Sequence, residues 1–422
     1  MNLEQYESLL SILKEELIPA MGCTEPIAVA YAAAIARKTL GTLPEKVEIE
    51  VSGNIVKNVK SVIVPNTGGM RGITAAVGVG IIAGDSEKKM EVISEVSPEQ
   101  ILDIRNYIEK TEFSIKQSEG DIIFDIKIKV YSKNHQAFVR IAGYHTNVIR
   151  IEKDYIQLVD NDFSEYILGQ SNDRKNLSVK DIVAFAEAVK IEDIKDIMEQ
   201  QITYNGAIAE EGLTGNWGAN IGKIMLLSNG NQVQNLAKAM AAAGSDARMA
   251  GCELPVVVNS GSGNQGITAS VPVIVYAKEL GVPREQLYRA LVVSNLVSIH
   301  MKTGIGRLSA YCGVTTAGCG AGAGICYLYG GRYDEIAHTI VNAVAINSGV
   351  ICDGAKASCA AKIATAVEAG ILGMQMYMHG SQFYSGDGIV TKGVDSTIHN
   401  IGILASEGMR ETDKMIIQLM IG

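Results

Sequence analysis

The residues most able to do chemistry in this chain are three cysteines in the stretch from Arg307 to Lys362. Cys312 closes Leu308-Ser-Ala-Tyr-Cys312, while Cys352 and Cys359 stand on either side of Asp353-Gly354. The Ala-rich segment 355–369 predicts a helix, with Cys352 in the loop before it and Cys359 in its early turns. Thiolates near a helix N-terminus are stabilised by the macrodipole, which lowers cysteine pKa and suits metal ligation. Spacing alone leaves two readings open. No Cys-x2-Cys pair marks a zinc site, and free cysteine is among the most buried residue types, so small thiols in tightly packed helices also account for the pattern.

A fourth cysteine, Cys23, lies in Gly22-Cys-Thr-Glu-Pro26 at the start of a predicted helix over 27–40. Thr24 or Glu25 would cap it, and Pro26 takes the first-turn position that proline favours. This end of a helix favours a thiolate, the form a base or nucleophile needs; an inert thiol is the alternative. Two glycine loops could hold a carboxylate or phosphate on backbone amides. One is Asn66-Thr-Gly-Gly-Met-Arg-Gly72, with Thr67 and Gly68. The other is Asn259-Ser-Gly-Ser-Gly-Asn-Gln-Gly266, with Ser260, Ser262 and Asn264. Neither is a dinucleotide or Walker fingerprint. His145, in the turn Gly143-Tyr-His-Thr-Asn147, is either a proton-transfer group or an ordinary hydrogen-bonded turn residue.

The elements that must position these groups fall into two kinds. Residues 3–17 carry leucines on one helical face, and residues 46–51 alternate with period two. Residues 55–64 read as a second strand, and 73–82 as a helix. Ser97-Pro-Glu-Gln100 has capping-box form and opens a helix to Lys110. A β-meander follows over 122–130, 137–142 and 147–152. A polar linker spans 160–178, including Asn161, Ser164, Gln170, Ser171, Asn172, Asp173 and Arg174. Beyond it the pattern is helical, at 179–189, 191–204 and 234–243, towards Leu280 after the second glycine loop, and again from Pro283. The expected fold is α+β. A mainly helical catalytic domain (166–422) carries an inserted, smaller mixed α/β lobe (45–165), with N-terminal helices (1–44) packed on the helical domain.

Composition narrows the function. The chain has 422 residues, 47% apolar and 20% charged, so it can build ample core. A net charge of -9 without a basic cluster argues against nucleic acid. Asp246, Arg248, Lys356, Lys362 and Glu368 interrupt the Ala-rich tracts, so no membrane span is expected. There is no basic segment followed by an apolar run at the start, and the seven cysteines suit reduced thiols or metal ligands; the cytoplasm is the expected location.

Five motifs together resemble the L-cysteine desulfidase family, which shares a domain with the alpha chain of iron–sulfur L-serine dehydratases. They are Gly22-Cys-Thr-Glu-Pro26, Gly143-Tyr-His-Thr-Asn147, the 259–266 loop, Leu308-Ser-Ala-Tyr-Cys312, and Ile351-Cys-Asp-Gly354 with Cys359. The likeness runs from about Leu17 to Met415. It implies that Cys312, Cys352 and Cys359 hold three irons of a [4Fe-4S] cluster, leaving the fourth iron open to substrate. It implies that Cys23 is the base at the substrate α-carbon. The 260–266 loop resembles the Thr-Asn-Gly-Ala-Ala-Gly stretch of serine dehydratases and would lie near the substrate carboxylate. Cys252, Cys319 and Cys326 match no family ligand. The chain ends Met420-Ile-Gly422, without the terminal cysteine of some serine dehydratases, and lacks their Ser-His-Thr-x-Gly-Pro stretch. The expected reaction is therefore β-elimination of L-cysteine to pyruvate, ammonia and hydrogen sulfide. L-Serine dehydration, a non-catalytic cluster sensor and, last, a pyridoxal-phosphate lyase are the competing readings. A homodimer is expected, with a small amino-acid substrate as the other partner.

Overall fold

In the computed structural model, the described residues are 1–120, 122–161, 163, 174, 177–306 and 308–421. Arg307 and the linker residues Ser164, Gln170, Ser171, Asn172 and Asp173 lie outside them. Helix α1 (Leu3–Glu16) begins at Asn2, whose side chain accepts from the Gln5 amide at 2.8 Å while Gln5 answers in return. Strand β1 (Pro19–Met21) leads into α2 (Thr24–Leu40), which stops at Gly41 in the left-handed conformation. Strand β2 (Lys46–Val51) buries Val47, Ile49 and Val51.

The next segment departs from expectation. Residues 55–64 do not form a strand; they begin within helix α3 (Gly53–Val59). Ile55, Val59 and Val62 are all buried, four and then three residues apart, which is helical spacing in a run too short for periodicity to decide. Helix α4 (Gly72–Ala83) follows, then α5 (Pro98–Lys110), which starts at the expected Ser97 capping box. The sheet is completed by β3 (Glu112–Gln117), β4 (Asp125–Ser132), β5 (His135–Ala142), β6 (Val148–Lys153) and β7 (Ile156–Asp160). Its order is β3-β2-β4-β5-β6-β7. Only β2 and β3 run parallel, because three helices carry the chain between them; the other neighbours pair antiparallel.

The remaining elements are α6 (Val179–Ala188), α7 (Ile191–Thr214), α8 (Ile221–Asn229), α9 (Val233–Met249), β8 (Pro255–Val257) and α10 (Gly263–Leu280). After them come α11 (Arg284–Ile305), α12 (Gly313–Leu328), α13 (Tyr333–Ile346), α14 (Cys359–Met378), α15 (Val394–Ile403) and α16 (Arg410–Ile421). The fold is α+β, with α12 central and packed on α10, α11, α13 and α14. The N-terminal helices divide between the two parts. Helix α1 packs on α6, α7 and α11, but α2 covers β4, β5 and β6 and carries α4 on its other side, so it is not a helix of the helical part alone.

Two local features bring distant chemistry together. Strands β1 and β8 pair antiparallel, Pro19 against Val257 and Met21 against Pro255, which sets the segment entering Cys23 beside the segment entering the 259–264 loop. Helices α12 and α14 cross with backbones in contact. A Cβ on Gly318 would sit 2.3 Å from the Ala366 carbonyl oxygen, and one on Gly370 would sit 2.2 Å from that of Gly318. Any side chain there would force apart the two helices that carry Cys312 and Cys359.

Candidate active site

Four helix N-termini converge on one cavity. Cys23 is the N-cap of α2, Ser262 of α10 and Cys312 of α12, while Cys359 is the first residue of α14. None of these N-cap side chains caps its own helix, so the positive ends of the helices face a common space. That arrangement suits anionic thiolates and a substrate carboxylate.

Cys312 and Cys352 are held side by side by a short antiparallel contact. Tyr311 bridges Ile351, the Cys312 amide donates to the Val350 carbonyl at 3.0 Å, and the Cys352 amide donates to Ala310 at 2.6 Å. Their side chains share a hydrogen bond that favours a thiolate on Cys352 and a thiol on Cys312. It holds the Cys352 pKa well below the ordinary thiol range, opposed by burial and helped by Lys57, the Gly354 amide and Lys302. The same bond, with burial second, pushes Cys312 upward. Cys359 is raised by burial, and its Sγ lies 3.8 Å from the Gly354 carbonyl oxygen. Lys57 projects from α3 and is buried, with its Nζ 2.6 Å from Asp413 on the C-terminal helix α16. Asn54 holds the other oxygen of Asp413 at 2.8 Å.

Cys23, which also lines the cavity, behaves differently from expectation. Burial raises its pKa well above the ordinary thiol range, the Glu25 carboxylate raises it further, and Arg248 only partly opposes them. A helix end therefore does not make a resting thiolate here; desolvation outweighs the dipole. Cys23 instead donates its S–H to Glu25 Oε2 at 3.4 Å. Glu25 also accepts from Thr24 Oγ1 at 3.1 Å and from Asn58 Nδ2 at 3.2 Å.

The glycine loop after β8 is tightly braced. Asn259 and Ser262 exchange backbone bonds at 3.1 and 3.0 Å, and Ser260 adopts a positive φ of 51°. The Asn259 side chain reaches Asn295, which in turn pairs with Gln201, so a buried amide network fixes the loop from beneath. Asn264 accepts from Arg248 Nη1 at 3.1 Å. Arg248 is 2% exposed, and its buried Nε has no partner among the described residues. A Cβ on Gly263 would lie 2.3 Å from that Nε, so only glycine leaves room for the guanidinium.

Of the residues singled out from sequence, Cys23, His145, Ser260, Ser262, Asn264, Cys312, Cys352 and Cys359 line this one cavity. His145 is buried and packs edge-on against Phe124, with ring centroids 4.8 Å apart. Thr67 and Gly68 do not line it. Thr67 Oγ1 donates to Val64 and accepts from the Met70 amide, closing its own loop, and Gly68 lies against Ile101 and Arg105 of α5. That glycine stretch closes on itself as a turn beside α5. Cys252, Cys319 and Cys326 are buried outside the lining.

Sequence reading passed over Glu25, Asn58, Arg248, Gln265 and Lys302, which also line the cavity. One signal was available. Arg248 interrupts an Ala-rich helix, and a buried charge in such a setting needs a partner. Asn58 had no such signal, because it lies on α3, in the stretch expected to be a strand.

Among the described residues, no three His, Cys, Asp or Glu side chains close on one point as a single-ion site would. Cys312, Cys352 and Cys359 are chemically suited to a larger group. They come from separate backbone segments and face one space, and they offer the soft donors that iron–sulfur clusters take. Among the described residues no helix is long and apolar enough to cross a membrane.

Residues 87–418 match the family described as serine dehydratase alpha chain. A UPF0597 protein of Desulfitobacterium hafniense is 59% identical over 416 residues, covering 99% of this chain and 97% of the relative. UPF0597 proteins of Finegoldia magna and Lachnoclostridium phytofermentans are 49% and 47% identical, covering 97% and 99% of this chain and 98% and 100% of their own lengths. With three of its cavity cysteines and the whole 259–264 loop inside the matched region, the chain belongs to the serine dehydratase alpha chain family.

Proposed function

We propose that this protein is an iron–sulfur-dependent lyase that eliminates hydrogen sulfide from L-cysteine, leaving pyruvate and ammonia. The observation that carries the reading is the cavity itself. Cys312, Cys352 and Cys359 line one space, which a fourth thiol and a buried arginine also line. Cys312, Cys352 and Cys359 would hold a [4Fe-4S] cluster, which when bound supplies an open, Lewis-acidic iron that favours a sulfur leaving group. Lys57 and Lys302 offset thiolate charge beside Cys352.

The chain's own groups do the rest. Arg248, with its unsatisfied Nε, and the 260–264 loop hold the substrate carboxylate. This fixes the amino acid so that its α-proton meets Cys23 Sγ. Cys23 removes that proton, and the β-sulfur departs as the double bond forms. The released aminoacrylate tautomerises and hydrolyses in water. Seven free thiols suit a reducing compartment, the cytoplasm being the expected one.

L-Serine differs only in its leaving group, a harder oxygen that needs protonation to depart. Anaerobic assays of pyruvate from both amino acids test the choice. L-Cysteine should give pyruvate and sulfide in equal amounts, with a kcat/KM at least about tenfold above that for L-serine, a margin of ~1.4 kcal/mol at the transition state. Faster turnover of L-serine would replace this reading with a dehydratase.

A further inference from the structure

We propose that Glu25 is the proton acceptor of Cys23, so that the two side chains and one shared proton act together as the base. The inference rests on the reading that Cys23 takes the substrate α-proton. Glu25 is 8% exposed, and the groups found around its carboxylate are neutral donors: the Cys23 thiol at 3.4 Å, the Thr24 hydroxyl at 3.1 Å and the Asn58 amide at 3.2 Å. It lies in the first turn of α2. Thr24 and Asn58 fix the carboxylate, leaving Oε2 directed at Sγ. A thiol buried beside a carboxylate does not ionise readily into water. Its S–H is already aimed at an oxygen that can receive the proton.

The substrate Cα–H bond breaks and its proton goes to Cys23 Sγ, while the former S–H proton passes to Glu25 Oε2. The Cα–H electron pair becomes the Cα–Cβ double bond, and the β-sulfur leaves with its own bonding pair as hydrosulfide. Glu25 ends protonated and returns the proton to water when the products leave. Arg248 acts on Cys23 from α9, and His145 and Lys302 also line the cavity; Glu25 Oε2 is the acceptor that the Cys23 thiol is bonded to.

The test uses the iron-loaded enzyme and two variants, Glu25→Gln and Glu25→Asp. Glu25→Gln keeps an amide of the same shape but cannot take a proton at neutral pH. It should lower kcat about 100-fold or more, the usual scale of a lost acid–base group, with KM and iron content within about threefold and unchanged respectively. The same substitution removes a negative neighbour. Carbamidomethylation of Cys23 by iodoacetamide, followed by mass spectrometry, should therefore move to lower pH. An easier thiol to ionise paired with a slower enzyme is an outcome that a merely structural role would not produce. Glu25→Asp retains the charge but draws it away from Sγ, so kcat should fall while the alkylation profile stays nearer wild type. Wild-type kcat in Glu25→Gln, an unmoved alkylation profile, or loss of iron from both variants would overturn the relay alone. Absence of pyruvate from wild-type enzyme with either amino acid would overturn the functional reading and the relay with it.

Discussion

Arg248→Met separates the binding role of the arginine from any structural one. Arg248 is 2% exposed, donates to Asn264, and its Nε has no partner among the described residues. Methionine removes a charge-assisted bond of about 1.5–3 kcal/mol. It also removes a poorly compensated buried charge, and replacing such charges with apolar groups is often neutral or stabilising by about 1–4 kcal/mol. The two terms offset, so the melting temperature should hold or rise slightly. Substrate binding should suffer far more. Losing the desolvated partner of a carboxylate costs about 2–5 kcal/mol, which corresponds to roughly 30- to 5,000-fold in kcat/KM. The loss should appear mainly as a raised KM, because the carboxylate does not react. Arg248→Lys, which keeps charge but not the planar fork, should fall between the two. Steady-state kinetics on anaerobic enzyme with matched iron content would decide. A KM within threefold of wild type in Arg248→Met would remove Arg248 from the carboxylate site.

Serine in place of Cys312, Cys352 or Cys359 should strip iron, whereas serine at Cys252, Cys319 or Cys326 should leave iron analysis near wild type. In iron-free protein, iodoacetamide should alkylate Cys352 at lower pH than Cys312 or Cys359, since the bond from Cys312 favours its thiolate while the other two thiols are pushed up. Cys23, whose thiol is pushed up by burial and Glu25, should stay unmodified at neutral pH in the same peptide map. Asp413→Ala should destabilise by about 2–3 kcal/mol in denaturant titration, because Lys57 is left buried without its carboxylate. Adding Lys57→Met should recover part of that loss.

Much of the site was legible because helix starts announce themselves locally. Cys23 before Thr-Glu-Pro, Cys359 before an Ala-rich run, and Ser262 before Gly-Asn-Gln-Gly each mark a place where a side chain meets a positive helix end. Their convergence was not legible from spacing. It depends on β1 meeting β8 and on the Gly318–Gly370 crossing, contacts between segments far apart in the chain. The same limit explains Glu25 and Asn58, whose bond spans α2 and α3. It also explains the wrong protonation state expected for Cys23, since sequence shows a helix end but not how deeply it is buried. Residues 55–64 failed for a different reason, being too short a β-branched run to distinguish period two from helical spacing. Thr67 and Gly68 fall outside the cavity, and sequence could not show that, because a glycine-rich loop before a helix looks alike whether it cradles an anion or bonds to itself.

The central claim is that Cys312, Cys352 and Cys359 hold a cluster on which elimination depends. The most direct measurement is anaerobic purification with iron and acid-labile sulfide analysis, coupled to sulfide and pyruvate release from L-cysteine before and after iron removal and again after reconstitution. The account predicts about four irons per chain, turnover that disappears with the iron and returns with it, and no such recovery in the Cys352→Ser variant. Full activity in protein stripped of iron would contradict it.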